Sequence, residues 1–89
     1  MTTKKLNSMP YAQAQVEIDD TIVLRSYRTA VIIVDSEGWL SCTGTYSQTT
    51  RKHIGAFMRE YNFGTYQTAK TLYEDGLKMN IYTGEVVPY

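Results

Sequence analysis

Apolar and polar residues alternate along the first half of the chain and change period in the second. Alternation puts successive side chains on opposite faces of a strand, so period two reads as a half-buried sheet. Residues 13–18 alternate weakly, with Val16 and Ile18 on one face, and Asp19-Asp20 marks a turn. Residues 21–28 alternate as well: Ile22 and Leu24 point one way, and Val23, Arg25 and Tyr27 the other. Residues 29–34 are a largely β-branched run of the kind that fills a well-buried central strand. Asp35-Ser36-Glu37-Gly38 reads as a hairpin turn, because Gly38 is free to take positive φ. Residues 39–43 form the returning strand and Gly44 ends it. Together these segments predict an antiparallel meander of three to four strands.

Helical spacing follows. Ser47 can cap a helix with its hydroxyl, and Ile54, Phe57, Met58 and Tyr61 then form one apolar stripe. Asn62-Phe63-Gly64 breaks that helix, and Thr65 can cap a second. In the second helix Tyr66, Ala69, Leu72 and Tyr73 share a face, and Gly76 is the natural stop. Residues 79–82 and 85–87 flank Thr83-Gly84 and read as a short closing hairpin or an added edge strand, with Pro88 blocking further pairing. Residues 1–10 are polar and end at a proline, which predicts a flexible tail. The expectation is a single α+β domain over residues 11–89. In it, the meander is followed by two helices packed on one face and a short C-terminal strand or hairpin.

Charge narrows the functional classes. Nine basic residues balance nine acidic ones. A strong nucleic-acid binder carries a basic excess, so a nucleic-acid reading must rest on a local patch. Zero net charge gives weak colloidal protection, which favours a protein partner or a second copy of the chain. Cys42 is the one cysteine, so neither a disulfide nor a zinc site is expected. The longest apolar run, residues 30–34, is far too short to span a bilayer, and with no signal peptide the expected compartment is the cytoplasm. Eight tyrosines in 89 residues suit half-buried positions and interfaces.

No catalytic residue, metal ligand or cofactor is expected. His53, the single histidine, flanks the apolar stripe, and Glu60 lies two turns on. A Cys42–His53–Glu60 arrangement is conceivable, but nothing in the spacing demands it. Asp19, Asp20, Asp35 and Glu37 sit at predicted turns, where Asp is favoured for bonds to its own backbone. The glycines fit no dinucleotide or phosphate-loop pattern. More informative is the helix start, where Arg51, Lys52 and His53 crowd an end that is already positive by its dipole. With Tyr46, Ser47, Thr49 and Thr50, and with Arg25 and Arg28 from a neighbouring strand, they form a candidate anion or nucleic-acid site. On the outward face of the same helix, Arg51, Lys52 and Arg59 flank the small residues Gly55 and Ala56. Cations beside an approachable backbone could clamp an acidic surface, so these five residues are the candidate partner-binding set.

Three segments carry a resemblance: Ser26-Tyr27-Arg28-Thr29-Ala30-Val31, Gly38-Trp39-Leu40, and Gly44-Thr45-Tyr46-Ser47-Gln48-Thr49-Thr50-Arg51-Lys52-His53-Ile54. The chain resembles small proteins encoded by bacteriophages and other mobile elements, chiefly in its Tyr-Ser-x-Thr-Thr-x-x-His-Ile segment. That group has no established activity, so no residue's role is carried over. The resemblance implies a phage or prophage setting and a host or phage protein as partner. In that setting small proteins often act by binding, for example as anti-CRISPR-like inhibitors of a host defence nuclease.

Overall fold

The computed structural model describes residues 2–9 and 13–89 as an α+β fold built on one antiparallel sheet. Its strands are β1 (Thr2–Lys4), β2 (Ala14–Ile18), β3 (Ile22–Ser26), β4 (Thr29–Val34), β5 (Trp39–Cys42), β6 (Leu77–Asn80) and β7 (Val86–Pro88). They lie side by side in chain order, each antiparallel to the next. Helices α1 (Gln48–Glu60) and α2 (Tyr66–Glu74) fall between β5 and β6.

A meander of three to four strands therefore understates the sheet, which has seven strands among the described residues. Two segments account for the difference. Within residues 1–10, expected to be a flexible tail, Thr2, Thr3 and Lys4 pair with Ile18, Glu17 and Val16, and Leu6 is fully buried. All three β1 side chains are exposed, so the strand leaves no apolar alternation to read. At the other end, the closing hairpin joins the same sheet, because Trp39 pairs with Asn80 and Leu40 with Met79. Pro88 closes β7 on the outer edge, where a missing N–H costs no ladder bond.

Alternation sets the core. Val16, Leu24, Ile32, Val34 and Leu40 are buried from the sheet, and they join Ile54, Phe57, Met58, Ala69 and Leu72 of the helices in one cluster. Burying each Val, Leu, Ile, Phe or Met side chain among them contributes about 1.5–3 kcal/mol. Phe57 stacks on Tyr61 at 4.8 Å between ring centroids and meets Phe63 edge-on at 5.8 Å, which ties the end of α1 to the chain that follows it. The opposite sheet face carries half-buried Val23, Ile33 and Trp39, with Lys78 Nζ 5.0 Å from the centre of the Trp39 ring. No helix among the described residues is long and apolar enough to cross a membrane.

Helix ends follow the local chemistry. The Ser47 hydroxyl accepts a bond from Thr50 N and starts α1, and the Thr68 hydroxyl accepts one from Thr65 N at the start of α2. The link between β3 and β4 is less ordinary. Ser26 pairs with Thr29, leaving Tyr27 (φ 52°) and Arg28 (φ 77°) as a two-residue turn with both residues left-handed. Asn-Gly normally occupies such a turn, and other L residues cost roughly 1–2 kcal/mol each there.

Candidate functional site

Arg51, Lys52, Gly55, Ala56 and Arg59 come together along one groove of about 530 Å³. Helical period brings Gln48, Lys52, Gly55 and Arg59 into line on α1. Ser8 and Met9 of the N-terminal segment and Tyr66 at the start of α2 also line the groove. Gly55 and Ala56 are buried at its base. A Cβ added at Gly55 would stand 3.5 Å from an Arg59 guanidinium nitrogen and 3.5 Å from Tyr66 Cβ, which is ordinary contact. The missing side chain thus leaves a shelf on which the Arg59 guanidinium lies over the α1 backbone.

The groove is positive. The first turn of α1 holds no acidic residue, and Arg51 and Lys52 are exposed. The ion pair found among the described residues is Arg25 with Glu17, at 2.9 Å, and it lies on the sheet. Glu60, the acid nearest in sequence to Arg59, accepts a bond from Asn7 N at 2.7 Å. Arg51, Lys52 and Arg59 therefore meet no carboxylate among the described residues.

The wider anion set does not assemble. Thr50 and His53 are 3% and 1% exposed and face inward. Ser26 Oγ lies 2.9 Å from Thr50 Oγ1 and 2.8 Å from His53 Nδ1, and the Ser47 hydroxyl donates to Thr50 Oγ1 at 3.2 Å. The hydroxyls and the ring expected to greet an anion are thus bonded to one another. Burial also pushes the His53 pKa down, which disfavours the cationic ring that an anion site would use. Tyr46 reaches Thr43 through its hydroxyl at 3.0 Å, and Thr49 is exposed. Arg25 and Arg28 line a separate cleft of about 540 Å³ with Gln13, Gln15 and Tyr27.

Nor do Cys42, His53 and Glu60 form a catalytic unit. Cys42 Sγ donates to Gly44 O at 3.3 Å, and burial pushes its thiol up, away from the reactive thiolate. His53 is bonded to Ser26 and Glu60 to Asn7. Ser26, the hydroxyl that does touch the imidazole, is only 2% exposed, so a substrate could not reach it. Asp19 accepts bonds from Thr21 N and Oγ1, and Asp35 from Glu37 N and Trp39 N, so both are spent within their own turns.

Four groove residues, Ser8, Met9, Gln48 and Tyr66, lie outside the partner-binding set read from the sequence. The apolar stripe of α2 assigns Tyr66 to the core, yet it lines the groove, half-buried, with its Cβ against Gly55. Met9 falls in the segment expected to be a tail, and no pattern in the sequence marks it. Thr50 and His53 did carry a signal: they stand at i, i+3, i+4 and i+7 with Ile54 and Phe57, which is the buried face.

A family model described as a family of unknown function (DUF8033) matches residues 1–75. Searches of curated proteins and of solved structures give no match.

Proposed function

We propose, from the premise that the chain belongs to the family of unknown function DUF8033, a non-catalytic binding role in which the α1 groove receives an acidic segment of a partner protein. The observation that carries this reading is the trio Arg51, Lys52 and Arg59 around one groove, with no carboxylate to meet them among the described residues. Isolated cations on a surface are ordinary. Three beside a concavity with Met9 and Tyr66 in its walls offer a partner both charge and apolar contact. The buried Ser26–His53–Thr50 cluster and the capped Cys42 supply no accessible nucleophile, which favours binding over catalysis. The resemblance to phage-encoded proteins suggests a host defence nuclease as the partner to try first.

Purified partners recovered from a host lysate should bind the wild-type chain and lose affinity at least tenfold with Arg59→Glu or with Arg51→Glu/Lys52→Glu. Lys4→Glu on β1, outside the residues lining the groove, should leave binding unchanged. Far-ultraviolet circular dichroism checks that the variants fold. Equal affinity for all of these proteins would remove the groove from the binding site. A phage role predicts that the bound protein is a nuclease whose cleavage slows in the presence of the chain.

A further inference from the structure

We propose a second, independent site: the cleft beside the β3–β4 turn binds a nucleotide, with its base stacked on Tyr27 and its phosphate on Arg28. The turn is the observation to explain. Tyr27 and Arg28 both occupy the left-handed region that Gly or Asn would adopt without strain. Strain of this kind persists only where the surroundings hold it, and it concentrates at ligand-binding segments.

Those surroundings can be named. Tyr27 N donates to Gln13 O at 2.9 Å. Arg25 bridges two groups: its Nε donates to Glu17 Oε1 at 2.9 Å and an NH1 donates to Arg28 O at 3.3 Å. The Tyr27 ring rests 5.9 Å from the His53 ring. Arg25 is thus a brace whose charge Glu17 meets, and among the described residues of the cleft Arg28 is the cation left over for a ligand.

The cleft then offers an unusual combination. Tyr27 is 53% exposed, so a flat partner can reach its ring. Arg28 is exposed and has no carboxylate partner among the described residues. Gln13 and Gln15 are exposed at the same cleft, and each amide donates and accepts. An aromatic platform, amides that suit a base edge and one free guanidinium fit a ligand that is aromatic, rimmed with hydrogen-bonding groups and anionic at one end. A volume of about 540 Å³ lies within the range of small-molecule sites. Among the described residues the cleft offers one unpaired cation and one platform, which suit one nucleotide, free or as a unit of a single strand, better than a duplex, whose binding needs many phosphate contacts.

Amide chemical shifts of the labelled chain during titration test the proposal. The titrants are AMP, GMP, CMP and UMP, then adenosine, inorganic phosphate, and a hexauridylate. At least one monophosphate should move the amides of Gln15, Tyr27 and Arg28, with adenosine and phosphate each binding at least tenfold more weakly. Tyr27→Asn suits the left-handed turn and removes the platform, so it should keep the fold and cut nucleotide affinity at least tenfold. Tyr27→Phe should bind as the wild type does. Arg28→Gln should erase the preference for AMP over adenosine. A hexamer that binds more tightly than the monophosphates, weakening with salt, identifies a strand as the source; equal affinity identifies the free nucleotide. Shifts identical for phosphate and AMP mean an adventitious ion only. That result, shifts confined to α1, or none at millimolar ligand would overturn the proposal. Shifts confined to α1 would move the nucleotide to the α1 groove; the other outcomes leave the acidic partner of that groove untouched.

Discussion

Replacing Ser26 by Ala tests whether the buried polar cluster is a structural unit. The Ser26 hydroxyl bridges Thr50 Oγ1 at 2.9 Å and His53 Nδ1 at 2.8 Å. Without it, Thr50 keeps the Ser47 hydroxyl at 3.2 Å, but His53 Nδ1 loses its bond inside a residue that is 1% exposed. Leaving a buried group unpaired costs ~1–3 kcal/mol, and the vacated hydroxyl is too small to add much of a cavity. The expected loss is about 2 kcal/mol. For a domain of this size that converts to a fall in Tm of ~8–16 °C. Urea unfolding followed through the fluorescence of Trp39, the single tryptophan, gives the free energy directly, and an unchanged m value would confirm that both states keep their compactness. The cycle with His53→Phe sharpens the test. Once the imidazole is gone, Ser26→Ala has no ring nitrogen to orphan, so the double variant should be less destabilised than the sum by at least ~1 kcal/mol. A loss under ~0.5 kcal/mol for Ser26→Ala, together with additivity within about that margin, would refute the reasoning.

Three other outcomes follow from the same structure. Gly55→Ala should stabilise the protein by ~0.5–1 kcal/mol, because Ala is the better helix former and its methyl meets only ordinary contacts at 3.5 Å; a lower Tm would show that the shelf is tighter than it looks. Stability should fall on acidification below about pH 6.5. His53 has a lower pKa folded than unfolded, so the unfolded chain takes up its proton first; the contribution is complete above the unfolded value and is lost as pH falls through the folded one, and this component should vanish from a urea series in His53→Phe. Cys42 should resist iodoacetamide in the native state and react at the ordinary rate in urea, and fast native labelling would contradict its burial and its bond to Gly44 O.

Legibility in the sequence depended on whether a residue's physical role was local. Ser47, Thr65, Gly38 and Gly76 act through their own backbone, and each sits where its chemistry predicts: two helix caps, and positive φ at both glycines. The outward line of α1 was equally legible, since helical spacing alone groups Lys52, Gly55, Ala56 and Arg59. The turn at Tyr27-Arg28 was not. Neither residue announces a left-handed conformation, and the alternation of residues 21–28 runs straight through it into the turn. The mutual bonding of Ser47, Thr50 and His53 was hidden, because their polar groups meet across two elements, in a pairing with Ser26 that no spacing within α1 reveals. β1 was invisible for the opposite reason: it is specified by backbone pairing with β2, and its side chains contribute nothing to the core.

Because the strands lie across the sheet in the order in which they occur along the chain, most of the pairing closes only short loops. Short loops cost little entropy to close, so the hairpins from β2 to β5 should zip early and the chain should fold quickly for a protein so rich in strand. One junction breaks that economy. β5 and β6 are separated by the whole helical pair, so their ladder needs the longest closure in the sheet. That junction should form last on refolding, and in hydrogen-exchange experiments β6 and β7 should open before the strands from β2 to β5.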